Sequence, residues 1–313
     1  MNVAVLSGKG GTGKTFVSVN LAAAAPKAIY IDCDVEEPNG YLFFNPENIV
    51  EEKITVKLPV VDHELCTGCR KCVDFCAFNA LAYIGGKVKI FDEVCHSCGG
   101  CMLVCPEKAV SEKDKTIGIV QQGQSKTVTV KTGILNAGEA SGIPIIKNLL
   151  QNIKNTEQQL NIIDCPPGSS CIVMESIKDA DYCILVAEPT IFGLHNLKMV
   201  YELVQLFSKP FGVVLNKCSK GKNPAEEFCI KENIAILCRI SFDKMLGTEN
   251  SNAHIVVRQN AQYNELFTSL LGKVCKEVQH AAAYAFCGKY SAKLFSYYSC
   301  YSSGCRYWRR LAL

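Results

Sequence analysis

Residues 8–15 read GKGGTGKT, and the architecture follows from this octapeptide. Before it stands NVAVLS (2–7), a β-branched apolar run that reads as a buried strand. After it comes TFVSVNLAAAA (15–25), whose good helix formers predict a helix that Pro26 stops. Strand, glycine loop and helix are the context in which G-x-x-x-x-G-K-T binds phosphate. Gly8, Gly10, Gly11, Thr12 and Gly13 then shape a loop whose backbone N–H groups close around phosphate oxygens. Lys14 neutralises the β- and γ-phosphates, and the Thr15 hydroxyl is a ligand for Mg2+. Lys9 is surplus to this scheme, because one loop needs one lysine for its own nucleotide. A cation at the loop's start suits a second nucleotide across a symmetric interface, in the manner of an arginine finger in trans. The alternative is a solvated surface lysine.

Working outward, AIYIDCDVEEPN (28–39) reads as a buried strand that ends in Asp32 and Asp34. Open α/β sheets place ligands at the carboxyl ends of their strands. There Asp32 suits the water shell of Mg2+ and Asp34 the positioning or activation of the attacking water. The alternative is acids that cap a loop. LNIIDCPPGSSC (160–171) is a second such strand, ending in Asp164, a further candidate for the magnesium shell. YCILVAEPT (182–190) and FGVVLNK (211–217) are two more buried strands. Asn216 closes the last one, where an amide suits an adenine edge or, equally, a turn.

KGGTGKT resembles the deviant Walker A signature of the MinD/ParA/Mrp superfamily of P-loop ATPases. DCDVEEPN and DCPPG are similar to its first and second switch segments. The resemblance implies that Lys9 contacts phosphate of the opposite subunit in a nucleotide sandwich dimer. It also implies that Asp164 is the Walker B acid and that Asn216 contacts adenine.

Two runs interrupt this plan: CTGCRKCVDFC (66–76) and CHSCGGCMLVCP (95–106). Each is C-x2-C-x2-C-x3-C, the spacing of a two-cluster ferredoxin, in which the fourth cysteine crosses to the other cluster. Cys66, Cys69, Cys72 and Cys105 are therefore expected to hold one [4Fe–4S] cluster. Cys95, Cys98, Cys101 and Cys76 are expected to hold the other. The competing reading is zinc, which wants paired C-x2-C units instead of a repeated run of three plus one. Pro106 follows the second run and Ala77 the first, a departure from the symmetric pattern. The combination resembles superfamily members with an inserted ferredoxin domain.

The chain has 313 residues, 48% hydrophobic and 20% charged, with formal net charge +3. Its near-neutral body excludes an electrostatic case for nucleic-acid binding. MNVAVLSGKGG has no basic n-region, and no run approaches the ~18 apolar residues of a membrane span. With nineteen cysteines and ligand spacing, a reducing cytoplasm fits better than a disulfide framework. Cys165, Cys171, Cys183, Cys218, Cys229, Cys238 and Cys275 read as free buried thiols. KTIGIVQQGQSKTVTVKTGIL (115–135) alternates like a hairpin turning near Gly123–Ser125. Residues 281–313, aromatic, basic and without an acid, read as an irregular extension outside the fold and not as a membrane helix.

The expectation is a doubly wound, mostly parallel α/β sheet of P-loop NTPase type, residues 1–59 and 113–280, with an inserted α+β ferredoxin-like module, 60–112. The expected activity is ATP hydrolysis in a homodimer or a heterodimer with a paralogue. Nucleotide state would be coupled to electron transfer or metallocluster assembly on a redox or cluster-acceptor protein. An Mrp-like iron–sulfur carrier and a ParA/MinD-like positioning or redox-sensing switch are the alternatives.

Overall fold

The computed structural model describes residues 1–151 and 160–287. In chain order the strands and helices are β1 (Asn2–Leu6), α1 (Lys14–Ala24), β2 (Ala28–Asp32), α2 (Gly40–Phe44), β3 (Glu47–Val61), α3 (Lys71–Phe75), β4 (Leu81–Ile84), β5 (Lys87–Ile90) and α4 (Gly100–Leu103). Next come β6 (Val110–Ser125), β7 (Val128–Leu135), α5 (Ile143–Leu150), β8 (Leu160–Asp164), α6 (Cys171–Ile177), β9 (Tyr182–Ala187) and α7 (Ile191–Leu206). The chain ends with β10 (Phe211–Cys218), α8 (Pro224–Lys231), β11 (Ile236–Ser241), α9 (Lys244–Ser251) and α10 (Ala261–Cys287).

Two compact units result, one from Met1–Thr55 with Thr116–Val278, the other from Val56–Lys115. The large sheet runs β11-β10-β9-β1-β8-β2-β7-β6-β3. From β11 to β7 every neighbouring pair is parallel, and β6 is antiparallel to β7. The reason lies in composition. NVAVL and YCILVA are buried at every position, as strands covered on both faces must be. The first unit's core joins Val3, Val5, Phe16, Val17, Tyr30, Ile162, Ile184 and Phe267.

Strand order has one consequence for function. The first four residues of β1 pair with β8, and β8 pairs with β2 so that Asp32 lies directly opposite Asp164. Two expected acids and the glycine loop thus emerge side by side at one edge of the sheet.

The second unit contains the antiparallel hairpin β4–β5 and the short helices α3 and α4. Its small core is Cys72, Ala80, Leu81, Val88, Cys101 and Val110.

Three expectations change. The hairpin turns at Lys126–Thr127, because Ser125 still pairs with Val128 and its hydroxyl donates to the Phe44 carbonyl. Residues 281–287 are not irregular: α10 runs through them to Cys287, carried by strong helix formers such as Ala281, Ala282 and Ala283. The rest of that stretch, 288–313, lies outside the described residues. Cys171 is exposed, because it opens α6, whereas Cys165, Cys183, Cys229 and Cys238 are buried and Cys218 and Cys275 partly so. No helix among the described residues is long and apolar enough to cross a membrane.

Candidate functional site

The loop after β1 needs glycine at two places for steric reasons. Gly13 has φ 93°, and a Cβ there would also collide with the Asn216 amide. A Cβ on Gly8 would collide with the backbone carbonyl of Asn196 in α7. The loop therefore sits as close to α7 and β10 as bare backbone allows. The second switch is tied to it, since Gly168 donates its N–H to the Ser7 carbonyl at 2.9 Å.

Lys14 enters this loop 6% exposed and meets Asp164 Oδ1 at 2.7 Å and Asp34 Oδ2 at 3.7 Å. Burial pulls its pKa down, but Asp164, Asp34 and Asp32 outweigh burial and leave it raised. The buried lysine thus stays charged, with carboxylates as its counter-ions. The other oxygen of Asp164 accepts from the Tyr30 hydroxyl at 2.8 Å. Asp32 accepts backbone N–H groups from Asp34, Asn39 and Gly40 at 3.2, 3.1 and 2.9 Å. Burial and then the charge of Asp164 push Asp32 up, against Lys14 and those N–H groups. Asp34 is raised to about 6, first by burial and then by Asp164, Glu37 and Glu36, with Lys14 opposing. The Thr12 hydroxyl is buried without a hydrogen-bond partner, an orphan that a bound polyphosphate would satisfy.

Lys9 does not project freely. Its ammonium stands 3.1 Å from Glu188 in the same chain, with 41% of the side chain exposed. Glu188 also takes Lys217 at 2.6 Å, and Lys217 donates to the Gly11 carbonyl at 2.6 Å. Burial pushes Glu188 up, but the hydrogen bonds from Lys217 and Lys9 hold it below the ordinary carboxylate value. Asn216 donates its amide nitrogen to the Thr12 carbonyl at 2.8 Å, so half of the side chain braces the loop. It also lines a cleft with Gly11, Gly13, Phe242, Asp243 and Asn250. Asn250 Oδ1 is buried there without a hydrogen-bond partner.

In the second unit the eight motif cysteines divide four and four. One small hollow is lined by Cys66, Cys69, Cys72 and Cys105. The other is lined by Cys76, Cys95, Cys98 and Cys101. The fourth cysteine of each run lines the hollow of the other run's three, because α3 and α4, which precede Cys76 and Cys105, pack against each other. Among the described residues no three metal-binding side chains converge on a point suited to one ion. The Ala80 N–H points at Cys76 Sγ at 3.3 Å, the kind of donor that surrounds cluster sulfurs. Burial raises Cys72 and Cys95 and lifts Cys101 to about 11. Without iron these thiols keep their protons, and metal binding must displace them.

Sequence reasoning missed Tyr30, Glu188 and Lys217. Glu188 had a signal, an acid at a strand's carboxyl end. Tyr30 had none, since an aromatic residue inside a strand reads as core.

The pattern of the CobQ/CobB/MinD/ParA nucleotide binding domain matches residues 3–255. An uncharacterized protein of Methanocaldococcus jannaschii is 30% identical over 283 residues, 88% of this chain and 96% of the relative. The iron-sulfur cluster carrier protein of Pyrococcus horikoshii is 24% identical over 298 residues, 88% of this chain and 86% of the relative. The septum site-determining protein MinD of Pyrococcus horikoshii, solved with Mg-ADP, superposes with TM-score 0.55 at 19% identity, over 87% of this chain and 95% of that one.

Proposed function

We propose, on the premise that this chain belongs to the CobQ/CobB/MinD/ParA nucleotide-binding family, that it hydrolyses ATP and couples its nucleotide state to electron transfer or metallocluster assembly on a partner protein. The observation that carries the iron–sulfur half is the crossed four-and-four division of the cysteines around two cavities. Cys66, Cys69, Cys72 and Cys105 would hold one [4Fe–4S] cluster; Cys95, Cys98, Cys101 and Cys76 would hold the second. Bound there, the clusters supply one-electron redox chemistry.

In the nucleotide half Lys14 exchanges its carboxylate partners for β- and γ-phosphate oxygens. Thr15, Asp32 and Asp164 would hold Mg2+ or its water shell, and the metal would offset phosphate charge. Asp34, raised to about 6, is mostly ionised at pH 7 and so accepts a hydrogen bond from the attacking water. The cleft at Asn216 takes the base: with its nitrogen committed to Thr12, the side chain offers Oδ1, which suits the amino group of adenine. Lys9 leaves Glu188 to reach the nucleotide of a second subunit in a sandwich dimer.

A carrier role is the second reading, favoured by the relative named iron-sulfur cluster carrier protein. Eight cysteines arranged as two complete sets of four suit retention over donation. The test uses anaerobic protein with reduced clusters, mixed with candidate acceptors with and without ATP. ATP-dependent oxidation of the clusters is the expected result. Loss of iron to an apoprotein would replace it with the carrier reading. Cluster spectra and reactivity indifferent to nucleotide would overturn the coupling.

A further inference from the structure

We infer that Tyr30 is a positioning residue of the phosphate site, acting through its hydrogen bond to Asp164; the inference rests on the nucleotide-hydrolysis reading. Tyr30 lies in β2, in the middle of the doubly covered sheet, and is 0% exposed. Such a position ordinarily takes an aliphatic residue. A buried phenol is costly unless its hydroxyl is bonded. Here the hydroxyl donates to Asp164 Oδ2 at 2.8 Å, while Lys14 takes Oδ1 at 2.7 Å. The two oxygens of one carboxylate are thus held by different groups with different fates. Lys14 must turn to phosphate when a nucleotide binds, which frees Oδ1. Tyr30 is locked in the core and has nowhere to turn. It keeps Oδ2 tethered, so the carboxylate holds its orientation and would leave Oδ1 available to the metal's water shell.

The same ring supports the second acid. It packs against Phe44, with centroids 5.0 Å apart. A Cβ on Gly40 would collide with the Tyr30 ring and hydroxyl. Gly40 therefore rests on the phenol while its N–H holds Asp32 Oδ2 at 2.9 Å.

The test measures ADP affinity of the full, cluster-loaded chain by calorimetry, in Mg2+ and in EDTA. It compares the wild type with Tyr30→Phe, Asp164→Asn and the double variant. Tyr30→Phe should leave affinity in EDTA unchanged and raise the half-saturating Mg2+ concentration about tenfold, as loss of a hydrogen bond to a charged group implies. Added to Asp164→Asn it should change nothing further. Phe44→Leu, which loosens the same packing but keeps the hydroxyl, should retain wild-type Mg2+ dependence. Tyr30→Phe with wild-type Mg2+ dependence, losses that multiply in the double variant, or a Phe44→Leu shift equal to that of Tyr30→Phe would each overturn the inference. A wild-type chain that binds no nucleotide would instead remove the reading beneath it.

Discussion

Lys9 and Glu188 form an ion pair of 3.1 Å within one chain. The lysine proposed to reach a neighbouring subunit's nucleotide is therefore held within its own chain by a carboxylate at the end of β9. Acting in trans means exchanging that carboxylate for phosphate. Lys9→Ala should leave ADP affinity within about threefold and lower ATP turnover by about 10^3-fold, the range for a cation supplied in trans. Steady-state phosphate release and fluorescent-ADP titration check this. Equal loss in binding and turnover would place Lys9 in its own subunit's site.

Glu188 gives a dependence on pH. Its carboxyl is held below the ordinary value by Lys217 and Lys9, against burial. A depressed acid stabilises the fold above its unfolded pKa, and that contribution is lost as pH falls through the folded pKa. Glu188→Gln should cost about 1 kcal/mol near pH 7, discounted for the half-exposed lysines. The gap between variant and wild type should close as the medium is acidified below about pH 4.5, where the free carboxyl titrates. Paired thermal melts across pH measure it, and a gap that widens in acid contradicts the assignment.

Asp34→Asn should separate binding from hydrolysis. The amide keeps the shape beside Lys14 but cannot accept a water proton. Turnover should fall by about 10^2-fold or more, the usual scale for a positioned base, with ATP affinity retained or improved as a negative charge leaves the site. Rapid-mix single turnovers distinguish this from slowed product release.

Gly8→Ala tests the loop's packing. The new methyl meets the backbone of α7, which cannot rotate away. A stability loss of about 1–3 kcal/mol and weakened nucleotide binding are expected from denaturant titration and calorimetry. An unchanged midpoint would mean that α7 gives way freely.

Cys76→Ser tests the crossing. It should spare the cluster bounded by Cys66, Cys69, Cys72 and Cys105 and weaken the other, reducing about eight irons per chain towards four. Iron analysis with electron paramagnetic resonance separates the two. Preferential loss of the cluster on Cys66, Cys69 and Cys72 would mean the runs are not exchanged.

The fold was legible because its signals are local. Val3–Leu6 and Tyr182–Ala187 are continuous apolar runs, and GKGGTGKT lies between a strand and a helix. The cysteine sets were legible because their spacing is rigid. What escaped depends on pairings distant along the chain: Tyr30 and Asp164 are separated by 134 residues, and Lys9 and Glu188 lie further apart still. Asn216 shows the middle case. Its position at a strand end was readable, but its grip on the Thr12 carbonyl depends on the parallel order β10-β9-β1, which no single segment encodes. The helical stretch 281–287 escaped because basic, aromatic composition masked its alanines.

If the two cysteine sets hold clusters as proposed, the exchange of Cys76 and Cys105 between the runs would tie the loading of each centre to the folding of both runs. Each redox centre is then finished only when both halves of the duplicated segment are folded. A whole run that failed to fold would take ligands from both centres, whereas loss of a single thiol would cost only the centre that thiol serves.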